Sequence, residues 1–73
     1  MHSYLVESQV IQTGGLQVYE KNPKAAAIKV LKNTYKNFDP KRLQPYKENV
    51  KGTFVRVSLL GGTRESETYY TVV

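Results

Sequence analysis

A chain of 73 residues with no cysteine and a formal net charge of +5 allows one small domain without disulfides or a thiolate metal site. A domain of this size buries only about 60% of the surface of its unfolded chain, which leaves few apolar residues for a substrate cavity. The N-terminus lacks the basic and apolar regions of a signal peptide, and no run approaches the about 20 apolar residues of a membrane span. We therefore expect an intracellular, soluble protein with no membrane partner.

Residues 1–20 predict a β-hairpin. Residues 3–11 alternate loosely between two faces, and residues 16–19 resume the alternation. Between them, Thr13, Gly14 and Gly15 supply a turn that tolerates positive φ. A glycine pair can also line a phosphate, but no lysine follows at the spacing of a nucleotide-binding loop, so a turn is favoured.

Residues 22–38 predict the one helix. Asn22 suits the N-cap, and Pro23 suits the first helical position, where its missing N–H costs nothing. Helical spacing places Lys29, Lys32 and Lys36 on one side. The other side is an arc of about 200° made of small, β-branched, apolar and aromatic residues, namely Ala26, Ala27, Ile28, Val30, Leu31, Thr34, Tyr35 and Phe38. One face therefore packs on a sheet, and the other meets water or phosphate.

Residues 39–52 predict a long connection, because they contain Pro40 and Pro45 and show neither strand nor helix periodicity. Leu43 and Tyr46 are expected to anchor it to the core. A basic rim is left exposed, formed by Lys41, Arg42, Lys47 and Lys51. Connections of this length are uncommon in compact domains unless they function or move, and the sequence leaves both interpretations open.

Residues 53–73 predict a second hairpin. Its first strand places Val55, Val57 and Leu59 on one face and alternates them with Phe54, Arg56 and Ser58. A glycine-containing turn over residues 61–66 leads to a return strand over residues 67–73. The predicted fold class is α+β: one domain with a ββαββ order, in which two antiparallel hairpins form a sheet and one amphipathic helix packs on it.

Positive charge is concentrated in the middle of the chain. All eight lysines lie in residues 21–51, which hold nine basic and two acidic side chains and a net charge of +7. The remaining residues hold two arginines and four glutamates, a net charge of −2. A solvated surface explains many basic segments. Segregation of this size favours an anionic partner, with nucleic acid ahead of a membrane or an acidic protein.

The residue types that perform catalysis are sparse. The single histidine is His2, at a terminus, and the only close acidic pair is Glu65 with Glu67, which we interpret as surface charge. We expect no enzyme, no metal and no cofactor. Tyrosines are more informative: the adjacent Tyr69 and Tyr70 must point to opposite faces of a strand, so one of them is expected to be exposed and able to stack on a base.

The order of these features resembles a known family. The hairpin that leads into Pro23-Lys-Ala-Ala-Ala, followed by Phe54-Val-Arg-Val-Ser and a turn into Thr63-Arg-Glu-Ser-Glu-Thr-Tyr-Tyr, is similar to the monomeric chromosomal proteins of methanogenic archaea and their small relatives in large DNA viruses. In that family a Pro-x-x-Ala-Ala motif opens the helix, and a variable loop leads to a second, basic hairpin. The resemblance covers most of the chain from Leu16 onward.

This resemblance implies a non-enzymatic, architectural protein that binds and bends duplex DNA without strict sequence preference. Carried over by position, Arg56 on the third strand and Arg64 in the hairpin turn would contact phosphates or a narrowed groove. Tyr70 falls where an aromatic residue closes the family's hairpin. The implied location is the nucleoid or chromatin, or the virion if the protein is viral.

Charge and resemblance together predict a nucleic-acid-binding protein whose partner is double-stranded DNA. The residues expected to neutralise phosphates are Lys29, Lys32, Lys36, Lys41, Arg42, Lys47 and Lys51, with Arg56 and Arg64 contributing from the sheet. The alternative is a protein-interaction module or oligomer-forming subunit that uses the C-terminal hairpin. The segment from Thr68 to Val73 is rich in β-prone residues and would pair with a second copy if it lay at a sheet edge, giving a homodimer.

Overall fold

One helix covers one face of a five-stranded antiparallel sheet in the computed structural model, which describes residues 1–9, 15–62 and 66–73. The elements are β1 (His2–Ser8), β2 (Leu16–Glu20), α1 (Pro23–Thr34), β3 (Leu43–Pro45), β4 (Thr53–Leu59) and β5 (Glu67–Val72). Their order across the sheet is β2-β1-β4-β5-β3. The α+β class predicted from periodicity is confirmed, with a short fifth strand added.

Helix α1 begins as its sequence predicts. The side-chain oxygen Oδ1 of Asn22 accepts a hydrogen bond from the backbone N–H of Ala25 at 2.7 Å, and Pro23 is the first helical residue. Small alanines let the helix approach the sheet closely. Its buried face consists of Ala26, Ala27, Val30 and Leu31.

The helix ends at Thr34, earlier than the predicted end at Phe38. Tyr35 leaves helical backbone at φ −125° and ψ 106°, although its N–H still donates to the carbonyl of Leu31 at 2.8 Å. The chain then turns, with the N–H of Phe38 donating to the carbonyl of Tyr35. Phe38 is buried as its position on the apolar arc suggested, but it reaches the core from this turn. Helical spacing alone cannot distinguish a Phe38 that is buried from the helix from one that is buried from the turn after it.

The core lies between α1 and the inner face of the sheet. Buried residues from the two central strands, Tyr4, Val6, Val55 and Val57, meet the buried face of the helix. Because strand side chains alternate, the intervening residues point away from α1. We call this side the outer face: it includes Leu5, Glu7, Tyr19, Gln44, Phe54, Arg56, Glu67, Tyr69 and Thr71. Among the described residues no second helix covers it.

The predicted long connection is more ordered than expected. A single 3-10 turn at Pro40–Arg42 leads directly into β3, which pairs with β5. A strand of three residues is too short to show periodicity, which is why the sequence did not reveal it. Leu43 is buried, as predicted. The prediction for Tyr46 was wrong: its ring is exposed and contacts Phe54, on the outer face.

The position of β5 inside the sheet bears on the predicted homodimer. β5 pairs with β4 on one side, and its residues 70–72 pair with β3 on the other. The backbone N–H of Tyr46 also donates to the carbonyl of Tyr69 at 3.3 Å. The backbone groups of β5 are therefore already hydrogen-bonded within the chain. A dimer in which β5 pairs with a second copy would first have to displace β3.

Thr71 lies on the outer face of β5, opposite Phe54, and is only 2% exposed. Its hydroxyl Oγ1 has no hydrogen-bond partner among the described residues. A hydroxyl that is buried without a hydrogen-bond partner loses its hydration without forming a compensating hydrogen bond, so its burial destabilises the fold.

We predict that Thr71→Val raises the free energy of unfolding by about 1 kcal/mol, because it replaces this hydroxyl with a methyl group. Urea unfolding followed by circular dichroism measures the change. Thr68→Val, at a partly exposed position in the same strand, controls for the higher strand preference of valine. Equal stabilisation by both substitutions would show that strand preference, and not the buried hydroxyl, is responsible.

Candidate nucleic-acid interface

A shallow basic groove runs along the first turns of α1. Its volume is about 770 Å³, and its wall combines lysines with the apolar side chains of Ile28 and Tyr70. The lysines that line it are Lys21, Lys24, Lys29 and Lys32. The groove thus brings together three of the predicted site residues, Lys29, Lys32 and Tyr70, and adds Lys21 and Lys24.

These lysines point to solvent because of the helix itself. Ala26, Ala27 and Val30 occupy the face that meets the sheet, so Lys29 and Lys32 are directed away from it. Of the residues that the structure describes, Glu20 is the one carboxylate that lines the groove. Its oxygen lies 3.9 Å from the Lys29 nitrogen, and both side chains are partly exposed. An exposed pair at this distance contributes at most about 1 kcal/mol, so Lys29 is readily available to another anion.

The other predicted lysines lie beyond the helix. Lys36 is in the turn after α1, Lys41 is in the 3-10 turn, and Lys47 and Lys51 are between β3 and β4. All four are exposed. Within residues 1–9, 15–62 and 66–73, ion pairs form only between Lys29 and Glu20 and between Arg56 and Glu7. These lysines consequently have no carboxylate partner in the described part of the chain.

Arg42 is partly committed to the fold. Its Nε donates to the backbone carbonyl of Val73 at 2.8 Å, while the N–H of Val73 donates to the carbonyl of Arg42 at 3.0 Å. The guanidinium carbon also lies 6.0 Å from the centre of the Phe38 ring, within the range of a cation–π interaction. Arg42 holds the end of the chain next to β3, although it is exposed enough to meet a phosphate as well.

Arg56, predicted to contact phosphates, is paired with a carboxylate of the chain itself. It lies on the outer face, where its Nε and Nη2 donate to the two carboxylate oxygens of Glu7 at 3.2 and 2.8 Å. The hydrogen bond with Glu7, followed by the charge of that carboxylate, raises the pKa of Arg56 above its ordinary value. A bidentate pair of this kind balances the positive charge. Arg56 is therefore a weaker phosphate contact than its place in the sequence suggested.

Tyr70 and Tyr69 point to opposite faces of the sheet, as adjacent residues of a strand must. Tyr70 lies on the helix side, half-buried, and burial raises the pKa of its phenol above 10.0, with a smaller contribution from Tyr4. Tyr69 lies on the outer face, exposed. Tyr70 can present only part of its ring to a ligand in the groove. Arg64, the remaining predicted contact, is outside the described residues.

An aromatic cluster on the outer face was missed as a unit by sequence reasoning. Phe54 lies at the centre, with its ring centre 5.6 Å from that of Tyr46 and 5.6 Å from that of Tyr69. We call these three residues the aromatic cluster. The alternation in β4 and β5 indicated the outward direction of Phe54 and of one tyrosine. Nothing local indicated that Tyr46, from a different segment, would join them.

Among the described residues, no group of three or more histidines or carboxylates is close enough to hold a metal ion. No helix in that part of the chain has the length and apolar character needed to cross a membrane.

Comparisons of the chain with protein-family models, with curated proteins and with solved structures give no significant match. The resemblance to the chromosomal proteins of methanogens stays a prediction.

Tyr70 provides a test of the groove's structure through pH. The pKa of Tyr70 is higher in the folded chain than in the unfolded chain, so the unfolded chain loses the phenol proton first as the pH rises through about 10. The free energy of unfolding therefore decreases as the pH rises further. Below about pH 10, the contribution of the protonated phenol to stability is fully present. We predict that Tyr70→Phe makes this decrease smaller. Denaturant unfolding between about pH 9 and about pH 11 measures it.

Tyr19→Phe, which removes a phenol from an exposed tyrosine on β2, reports the effect of the substitution itself. An identical alkaline decrease in the wild type and in Tyr70→Phe would contradict a buried phenol at the groove.

Proposed function

We propose that this protein is a small, non-enzymatic binder of nucleic acid that recognises the phosphate backbone without strict sequence preference. Its ligand is double-stranded DNA, which it packages or bends in a nucleoid, in chromatin or in a virion. The binding surface is formed by the exposed lysines of residues 21–51. We call this the lysine surface: Lys21, Lys24, Lys29, Lys32, Lys36, Lys41, Lys47 and Lys51.

The observation that carries the proposal is the lack of acidic partners for these lysines. Lysines that only keep a protein soluble can lie next to its carboxylates, because solubility does not require the two charges to be separated. Here the sole ion pair on the lysine surface among the described residues is the weak one with Glu20, and the strongest pair in that part of the protein joins Arg56 to Glu7 on the outer face. The uncompensated positive charge therefore lies on these lysines, where it would attract a polyanion.

The chemistry of lysine also supports contacts to phosphates over readout of base sequence. A lysine ammonium is a compact charge on a flexible stem, whereas base readout commonly depends on the planar, fixed forks of arginine, asparagine or glutamine. Both described arginines already donate to groups within the chain, Arg42 to Val73 and Arg56 to Glu7. The available donors are thus the ones suited to a sequence-independent interaction.

Duplex binding should respond strongly to salt. If four to six lysines neutralise phosphates, the logarithm of the association constant should decrease with the logarithm of salt concentration at a slope of about −4 to −5. We predict that the triple substitution Lys29→Gln, Lys32→Gln and Lys36→Gln makes this slope shallower by about 2 to 3, because each lost phosphate contact removes about 0.9. Fluorescence anisotropy with a labelled random duplex measures both slopes.

The control is the double substitution Glu7→Gln with Arg56→Gln, which leaves the net charge unchanged and removes the ion pair on the outer face. It should retain the wild-type slope. A flat salt dependence in the wild type would contradict the proposed mechanism, and so would an equal loss of slope in the control and in the triple variant. Absence of binding to any nucleic acid at low salt would favour the protein-interaction alternative.

A further inference from the structure

The outer face carries an arrangement that the lysine surface does not explain. The rings of the aromatic cluster are exposed by 50% for Tyr46, 37% for Phe54 and 40% for Tyr69. They nevertheless form one connected patch, with Phe54 roughly perpendicular to Tyr46 and inclined by 31° to Tyr69. Each of these adjacent, exposed rings offers an apolar face on which a planar ligand can stack.

Two exposed lysines are close to this patch along the chain. Lys47 directly follows Tyr46, and Lys51 lies three residues before Phe54. Arg56 is directly opposite Tyr69 in the strand register, but its charge is balanced by Glu7, so the lysines are the cations available here. Flat rings flanked by cations match the two parts of a nucleotide: a base with a π-face and an anionic phosphate.

Both glutamates that the structure describes on this face are already engaged. Glu7 accepts both hydrogen bonds from Arg56, and Glu67 accepts a hydrogen bond from the hydroxyl of Tyr69. They therefore oppose a polyanion less than free carboxylates would.

We propose that the outer face is a second nucleic-acid site, at which unpaired bases of a single strand stack on the aromatic cluster while Lys47 and Lys51 meet the adjoining phosphates. This inference rests on the proposed nucleic-acid binding and extends it from duplex to single strands. A proline-rich peptide also suits an aromatic patch, but such a peptide gives no role to the flanking lysines. Charge therefore favours the nucleotide.

The test compares three labelled probes of equal length: a twelve-nucleotide thymidine strand, a twelve-residue abasic strand with the same phosphates, and a twelve-base-pair duplex. Stacking requires accessible bases, so the thymidine strand should bind about tenfold or more tightly than the abasic strand. Since the chain has six tyrosines and no tryptophan, quenching of tyrosine fluorescence by the thymidine strand provides a second, independent signal.

The variant Tyr46→Leu with Tyr69→Leu should remove the preference for the thymidine strand over the abasic strand, and should leave duplex binding within about twofold of the wild type. Tyr46→Leu alone, outside the central strands, serves if the double variant does not fold, and should reduce the preference in part. Tyr19→Leu is the matched control: Tyr19 is an exposed tyrosine on the same face, outside the cluster. It should retain the full preference.

The possible failures are distinguishable. Equal binding of thymidine and abasic strands would overturn the stacking site while leaving the lysine surface in place. Loss of binding to all three probes at low salt would overturn the proposed function and this inference together. Quenching by a proline-rich peptide without quenching by the thymidine strand would overturn the inference in favour of a peptide-binding face.

Discussion

The packing of a single alanine-rich helix on one side of the sheet determines most of this protein's surface. Ala26 and Ala27 bring α1 close to the central strands, and Val30 and Leu31 complete a core with Val6, Val55 and Val57. In the part of the chain that the structure describes, one helix covers one face of the sheet and no helix covers the other. This asymmetry creates two surfaces of different chemistry, one basic and one aromatic.

The basic surface follows from the same packing. Since the buried face of α1 is set by its alanines and aliphatic residues, the lysines of the helix must point to solvent. Exposed lysines are ordinary on their own. What distinguishes these is that Glu7, which forms the strongest ion pair among the described residues, lies on the outer face with Arg56. The bidentate pair of Glu7 with Arg56 thus lies on the outer face, while the exposed lysines of α1 keep most of their positive charge uncompensated.

Sequence reasoning reached the fold class, the helix start and most of the buried core positions, because each depends on local pattern: the cap at Asn22, helical spacing, and alternation along β4. Thr34 and Tyr35, at the end of the predicted packing face, are exposed instead. Sequence reasoning placed the helix end too late, because Phe38 has the spacing of a buried helical residue but is buried from the turn that follows the helix. It missed β3 and misplaced Tyr46, because both depend on the pairing of residues 43–45 with β5, far along the chain. Six lysines of the candidate site were found from charge alone. The addition of Lys21 and Lys24, the pairing of Arg56 with Glu7 and the meeting of three rings required the tertiary structure.

Nuclear magnetic resonance provides the most direct measurement of the central claim, that the lysine surface binds the nucleic-acid backbone. In a titration of the ¹⁵N-labelled protein with a short random-sequence duplex at low salt, backbone amide shifts would show which side of the molecule meets the ligand. The account predicts changes clustered along residues 21–36 and at the connections that carry Lys41, Lys47 and Lys51, with little change at Leu5 or Gln17. Changes confined to the edge strand β2, or no changes at any residue, would contradict it.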